Sequence, residues 1–210
     1  KKMIKNLIYL KLCLFVISFA QVQTEWVMRY GVPGISAGAK CVGVDAAGNI
    51  YVTGWSVENI NTSRDYVTIK YNTQGTQLWK RVYNGPGNNW DEPYDMYVDD
   101  AGNVYVTGES YGASTGWDIA TIKYNTNGIE LWVRRYTGDL GTDRGEAIVV
   151  DNNSNVYVAG FVRNSLTGYD YVTIKYSLDG NELWVREYCY TDSMDSDIAH
   201  DIALDASGNI

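Results

Sequence analysis

Acidic side chains are the residues of this sequence best suited to bind a metal ion, and several recur at fixed spacing. Asp91, Asp143 and Asp197 follow one another at intervals of 52 and 54 residues. The last of them ends the segment CYTDSMDSD (189–197), which also contains Asp192 and Asp195. Calcium takes six to eight oxygen ligands from flexible loops. Asp192, Asp195 and Asp197 are therefore candidate Ca²⁺ ligands, although the D-x-D-x-D-G order of an EF-hand loop is absent and a solvated acidic loop is the alternative.

Side chains for catalysis are scarce. His200 is the only histidine, and no Ser–His–Asp or Cys–His set can be assembled around it from the spacing. Asp91 and Glu92 are adjacent, and neighbours on a strand point to opposite faces, which disfavours a glycosidase acid pair. The glycine-rich fingerprints of nucleotide-binding loops are also absent. We therefore predict no catalytic residue and no cofactor other than Ca²⁺.

Aromatic side chains that do not recur form a second candidate site. Many of them lie in or beside the longer predicted loops, where an aromatic floor would suit a sugar or a peptide. The alternative is that they pack against sheet edges, as single surface aromatics often do, and that the recurring Asp caps its loop. The predicted ligand-binding residues are Trp55, Trp90, Trp117, Tyr94, Tyr111, Tyr169, Asp91, Asp143 and Asp197.

These residues are positioned by a repeat of 52 to 54 residues that contains three motifs. The first is DAAGNIYVTG (45–54), DDAGNVYVTG (99–108) and DNNSNVYVAG (151–160). The second is DYVTIKYNTQG (65–75), DIATIKYNTNG (118–128) and DYVTIKYSLDG (170–180), and the third is LWKRVY (78–83), LWVRRY (131–136) and LWVREY (183–188). Each unit predicts four strands, A to D, with tight A–B and C–D turns on one side and longer B–C and D–A loops on the other. A propeller blade fits this pattern better than a β-solenoid, and a helical period is missing.

One Trp occurs in every copy of the third motif. Recurrence in every unit indicates a structural role rather than ligand binding. A large aromatic side chain at such a position is expected to pack between neighbouring blades. The predicted structural residues are Trp26, Trp79, Trp132 and Trp184.

The three motifs together resemble the bacterial SBBP-type β-propeller repeat, over residues 25 to 210. The resemblance implies an all-β propeller with blades of four antiparallel strands, in a family with little assigned chemistry. The G-x-x-L-W hairpin is also similar to the tryptophan-docking turn of quinoprotein propellers, over one hairpin per repeat.

The motifs divide the chain into blades. We expect a lone strand D at 25–30, blades at 39–83, 94–136 and 145–188, and the start of a fourth blade at 198–210. Propellers have four or more blades, so we expect further C-terminal blades of the same chain, with the lone strand completing the last one. An open array that closes by oligomerisation is the alternative.

The first twenty residues predict export. A basic start is followed by an apolar run that ends in Ser18-Phe19-Ala20, which is typical of a signal peptide (1–20) cleaved before Gln21. Lys11 interrupts the run, which disfavours a membrane anchor. We therefore expect a secreted or cell-surface protein without a membrane span after cleavage. Cys41 and Cys189 occupy unlike positions of the repeat, and a disulfide between them is not supported.

The charge limits the class of partner. A formal net charge of −8 excludes a nucleic-acid partner, because phosphate binding needs a basic face. We expect a non-catalytic binding or scaffolding module for a protein or carbohydrate ligand. Two alternatives stay open: a carbohydrate-active or quinoprotein-like enzyme domain, and a spacer in a longer surface protein.

Overall fold

A computed structural model describes residues 26–31, 34–58, 63–190 and 195–210. In these ranges the regular elements are β-strands, with no helix. The predicted signal peptide (1–20) and Asp192 lie outside the described residues. No helix in the described part of the chain is long and apolar enough to cross a membrane.

The strands form three antiparallel four-stranded sheets, each in the order of the sequence. Blade 1 contains β1 (Ala37–Val44), β2 (Ile50–Val57), β3 (Arg64–Tyr71) and β4 (Gln77–Tyr83). Blade 2 contains β5 (Asp91–Val98), β6 (Val104–Gly112), β7 (Gly116–Tyr124) and β8 (Glu130–Tyr136). Blade 3 contains β9 (Arg144–Val150), β10 (Val156–Asn164), β11 (Gly168–Tyr176) and β12 (Glu182–Tyr188), and the short β13 (Asp195–Ser196) pairs in parallel with β11. The predicted all-β fold with four-stranded antiparallel sheets is confirmed.

The blades pack face to face because their strands are apolar at both alternating positions. Tyr51 and Trp79 on one face of blade 1 pack against Val104 and Ile122 of blade 2. The opposite face of blade 2 packs in the same way against blade 3. A sheet that is covered on both faces needs this near-continuous apolar pattern, and it buries the middle blade most completely.

Each A–B turn is closed by its leading Asp. The Asp45 carboxylate accepts hydrogen bonds from the backbone N–H of Ala47 (3.0 Å) and Asn49 (2.9 Å) and from the Tyr51 hydroxyl (2.9 Å). Desolvation opposes ionisation here, but the bonds from Asn49 and Tyr51 prevail and lower the pKa of Asp45. Ser154 has a φ of 61° where the other copies have glycine, so the third copy keeps the same turn.

Three of the recurring Trp residues, Trp26, Trp79 and Trp132, dock on the C–D turn of the following blade, whereas Trp184 packs beside Tyr157 and Ile202. The Nε1–H groups of Trp79 and Trp132 donate to the carbonyls of Thr126 (3.0 Å) and Leu178 (3.1 Å). The Trp132 ring lies so close to Gly180 that a Cβ there would be 2.7 Å from the indole. Trp26 docks on blade 1 in the same manner, although residues 26–31 form no strand.

The C-terminal residues cover the exposed face of blade 3 without forming a strand. In the described residues 198–210, Ile202 is buried against Tyr157 and Trp184. The Asp205 carboxylate accepts from the backbone of Ser207 and Asn209, as in the earlier A–B turns. The start of the predicted fourth unit therefore occupies the place of a following blade.

The first strand of each blade (β1, β5 and β9) is called its inner strand, and each of the three contains a β-bulge. In blade 1, Ala39 pairs with Gly54 and Cys41 with Thr53, which leaves Lys40 as the extra residue. The extra residues of blades 2 and 3 are Tyr94 and Glu146. A bulge turns its side chain away from the regular alternation of the strand. The three bulged residues therefore project from the inner strands rather than into the packing between blades.

Candidate binding surface

The bulge position differs in every repeat, and so do neighbouring positions of the same strand, whereas the IYVTG, VTIKY and LWxRxY motifs recur. It holds Lys40, Tyr94 and Glu146, and His200 stands at the corresponding place of the fourth copy. Other positions that differ between repeats lie at the loop-side ends of the strands. They are Gly38, Glu92 and Arg144 on the inner strands, Trp55, Glu109 and Phe161 at the end of strand B, and Arg64, Trp117 and Tyr169 at the start of strand C.

Tyr94 lies at the centre of this surface, between two cations from the neighbouring blades. The Lys40 ammonium is 4.6 Å and the Arg144 guanidinium 4.4 Å from the centroid of its ring. Cations at this distance are attracted by the negative face of the ring. Desolvation, followed by the Glu109 carboxylate, raises the pKa of Tyr94 to about 12. Its hydroxyl therefore stays protonated at neutral pH and is available as a donor.

Carboxylates alternate with these cations. Glu92 pairs with Lys40 at 2.7 Å, and Arg144 pairs with Glu109 at 3.0 Å and with Glu146 at 3.2 Å. The pairs are only partly buried, so each stabilises the fold little. Their main effect is to fix the directions of the charged groups on the surface.

Arg64 extends the surface towards blade 1. Its guanidinium lies between two indoles, 4.0 Å from the Trp55 ring and 4.5 Å from the Trp90 ring, and its Nη1 bonds Glu92 at 2.8 Å. Trp90 remains 48% exposed. Glu92 thus joins the Arg64 group to the Tyr94 group, and we call the whole set the mouth surface. It consists of Lys40, Trp55, Arg64, Trp90, Glu92, Tyr94, Glu109, Arg144, Glu146 and Phe161.

The remaining aromatic candidates do not join Trp55, Trp90 and Tyr94 in one aromatic floor: Trp117 and Tyr111 form a separate pair, and Tyr169 touches the mouth surface at Phe161. Trp117 contacts Tyr111 edge to face, with ring centroids 5.0 Å apart. Tyr169 makes the same kind of contact with Phe161 at 5.3 Å. The structure brings Trp55, Trp90 and Tyr94 into one surface and leaves Trp117, Tyr111 and Tyr169 mainly in contacts with their own sheets.

The recurring acids Asp91, Asp143 and Asp197 hold the D–A loops. Asp91 is fully buried and accepts from the backbone N–H of Gly85 (2.6 Å) and Tyr111 (2.9 Å). Asp143 accepts from Gly138 (2.6 Å) and Arg163 (2.9 Å), and Asp197 from Tyr190 (2.8 Å). This geometry favours the capping alternative over ligand binding for Asp91 and Asp143, whose oxygens are already used.

A second recurring acid lies close to the start of each strand C, beneath the same loops. Asp118 is paired with Arg135 at 2.7 Å and accepts from the Thr115 hydroxyl at 2.8 Å. Asp65 is equally buried, and desolvation, with smaller contributions from Asp91 and Glu58, raises its pKa to about 6. Asp65 is therefore one carboxyl whose protonation should affect the stability of the fold in mildly acidic solution.

We expect Asp65→Asn to flatten the pH dependence of stability. The folded pKa of about 6 lies above the ordinary value of 3.8, so the folded state holds the proton more tightly than the unfolded state. The wild-type contribution is complete below about pH 4 and is lost as the pH rises to about 6. Melting temperatures measured across this window should fall less steeply with pH in the variant. The exposed Asp100→Asn is the control and should keep the wild-type slope, whereas an unchanged slope in Asp65→Asn would contradict the assignment.

The predicted metal ligands and the two cysteines lie in different environments. Asp192 and the side chain of Asp195 lie outside the described residues. Asp197 lies near Asp170 and Cys189, with one ligand-type atom of each within 4.8 Å of the others. Cys41 forms no disulfide; its thiol donates to the Tyr94 carbonyl (3.2 Å), and burial together with Asp95 raises its pKa to about 11.

The charged members of the mouth surface were missed at the level of sequence. They are Lys40, Arg64, Glu92, Glu109, Arg144 and Glu146. The signal that points to them is the comparison of repeats with one another, because these positions hold different residues in each repeat.

Comparison with known proteins bears on the fold. A protein-family model described as SBBP, beta-propeller repeat, matches residues 79–114 and 131–160. These segments contain the docking Trp79 and Trp132, and both continue into the inner strand of the next blade. No curated protein matches the chain. Together with the three face-packed sheets, the match shows that the blades are those of a β-propeller.

Proposed function

We propose that this chain, which carries SBBP-type β-propeller repeats at residues 79–114 and 131–160, is a non-catalytic binding module, secreted or displayed at the cell surface, whose ligand is a protein segment bound at the mouth surface. The export part of the proposal is supported by the signal-peptide pattern of residues 1–20. Propeller folds carry many functions, so the binding part depends on the site rather than on the fold.

The observation that carries the proposal is the separation of recurring from differing positions. Recurring side chains such as Trp79, Trp132 and Asp91 are used in packing between blades and in closing turns and loops. The differing side chains meet at one end of the inner strands, where packing does not require them. Side chains that differ between similar blades and meet on one surface can together bind one specific ligand.

The composition of the mouth surface favours a protein over a glycan. Protein interfaces and their energetic centres are enriched in Trp, Tyr and Arg. The mouth surface combines two Trp, one Tyr and two Arg with alternating carboxylates, so a peptide with charges of both signs can exchange with the existing pairs. A neutral sugar would use mainly the exposed indole of Trp90.

The test is selection of peptides from a random displayed library on the immobilised full chain, followed by measurement of Kd for the selected peptides. We expect Arg64→Ala and Tyr94→Ala each to weaken binding by about tenfold or more, as substitutions at the centre of an interface do. Leu183→Ala is the control, because Leu183 is exposed on β12, at the outer edge of blade 3. Equal binding by all variants would overturn the proposal, and so would binding to an oligosaccharide array without any peptide binding.

A further inference from the structure

The end of blade 3 places three metal-binding side chains together. Asp170 lies on β11, Cys189 follows β12, and Asp197 follows β13. A carboxylate oxygen of Asp170, the Sγ of Cys189 and a carboxylate oxygen of Asp197 all lie within 4.8 Å of one another. Three protein ligands at this separation need only small side-chain movements to reach a shared ion.

Asp170 has an unused oxygen in a buried position. The residue is 3% exposed. Its Oδ2 accepts from the Asn164 amide (2.7 Å) and from the Thr167 hydroxyl, whereas Oδ1 is buried without a hydrogen-bond partner. A buried carboxylate oxygen that lacks a partner is costly. Binding of a cation would remove that cost.

Blade 2 shows how the same position is neutralised by the protein itself. There, Asp118 also has a buried Oδ1 without a partner, but Arg135 forms an ion pair with its Oδ2. Arg135 pairs with Ala120, and in blade 3 the residue at the equivalent register, opposite Val172, is Glu187. The arginine of blade 2 is thus replaced by another acid in blade 3.

The substitution leaves blade 3 with an excess of negative charge at this place. In the described part of the chain, no basic side chain forms an ion pair with Asp170 or Asp197. At the position where blade 2 has Thr137, blade 3 has Cys189. Blade 3 therefore has a stronger metal ligand near Asp170 but no equivalent of the Arg135 guanidinium.

We propose that Asp170, Cys189 and Asp197 bind one Zn²⁺ ion, with water as the fourth ligand. Zinc combines thiolate and carboxylate ligands in tetrahedral sites, whereas Ca²⁺ prefers six to eight oxygens and has little affinity for sulfur. The ion supplies the positive charge that the Arg135 guanidinium gives to Asp118 in blade 2, but it does so at the unpartnered Oδ1 of Asp170 rather than at Oδ2. It would tie the D–A loop that leaves blade 3 to strand β11. Binding displaces the Cys189 thiol proton, so the affinity should rise with pH.

The experiment is calorimetric titration of the reduced full chain with zinc chloride. We expect one site per chain, at least tenfold weaker in Cys189→Ser and in Asp170→Asn. Cys41→Ser is the matched thiol control, and Asp143→Asn is the blade 2 counterpart of the loop-holding Asp197. Both controls should bind zinc as the wild type does. Cobalt chloride should give a thiolate-to-cobalt charge-transfer band that Cys189→Ser lacks.

A measurement on the wild type avoids dependence on the folding of the variants. Zinc should slow alkylation of Cys189 by iodoacetamide, as followed by mass spectrometry of the Cys189 peptide, and leave the rate at Cys41 unchanged. The proposal is overturned by zinc affinity that survives Cys189→Ser, by alkylation of Cys189 that is insensitive to zinc, or by tighter binding of Ca²⁺ than of Zn²⁺.

Discussion

Replacement of Trp132 by alanine is expected to lower the free energy of unfolding by about 3–5 kcal/mol, the usual cost of removing a buried aromatic side chain. Trp132 is 7% exposed and packs between blades 2 and 3. The substitution removes its contact with Gly180 and its bond to the Leu178 carbonyl together. The measurement is equilibrium unfolding in urea, monitored by fluorescence and circular dichroism.

Trp90→Ala provides the control for this prediction. Trp90 has the same side chain, is 48% exposed, and contacts chiefly the Arg64 guanidinium. Its replacement should change the free energy of unfolding by less than about 1 kcal/mol. If Trp132→Ala proved no more costly than Trp90→Ala, the recurring Trp would not be what holds the blades together.

Gly160→Ala is the second substitution with a large expected effect, about 3 kcal/mol of destabilisation, at the upper end of the cost of overpacking. The glycine that ends each YVTG or YVAG motif lies opposite the bulge of the inner strand. A Cβ at Gly160 would overlap the carbonyl oxygen of Arg144. The overlap is with backbone, so it can be relieved only by opening the β9–β10 pairing. Urea unfolding measures the loss.

Gly43→Ala tests whether the backbone contact is the cause. A Cβ at Gly43 would approach a Val98 methyl at 2.8 Å, and that side chain can move. We expect a smaller loss there, about 1 kcal/mol. Amide exchange should show lost protection around the β9 bulge in Gly160→Ala alone. Equal losses in the two variants would show that the bulge tolerates a side chain opposite it.

The bulge connects the stability of the fold with the proposed binding. The bulge requires a glycine opposite it on strand B. It also leaves one residue of each inner strand unpaired, so the side chain of that residue does not have to pack between blades. Lys40, Tyr94 and Glu146 are these released residues. The mouth surface can therefore vary without changing the packing between blades.

The sequence by itself determined the repeat, the four strands of each blade, the A–B turns and the residues that dock one blade on the next. These features are local patterns that occur three times, and each has one simple physical solution. The role of an Asp that closes a tight turn, or of a Trp that packs on a glycine, can be predicted from the repeated motif alone. For the same reason the capping alternative for Asp91 and Asp143 was available from their recurrence.

Only the tertiary structure decided which of the differing residues meet. Tyr94 lies about fifty residues from both Lys40 and Arg144 in the chain, and it contacts both because adjacent inner strands bring the three blades together. The bulge shifts the pairing of the two strands by one residue, and the alternation of apolar and polar residues along a strand does not show where that shift occurs. Likewise, Asp170 and Cys189 belong to different motifs, and their proximity to Asp197 follows from strand pairing. Local sequence patterns specify the individual blades. Contacts between blades depend on the register of each strand and on how the sheets pack, which local patterns do not encode.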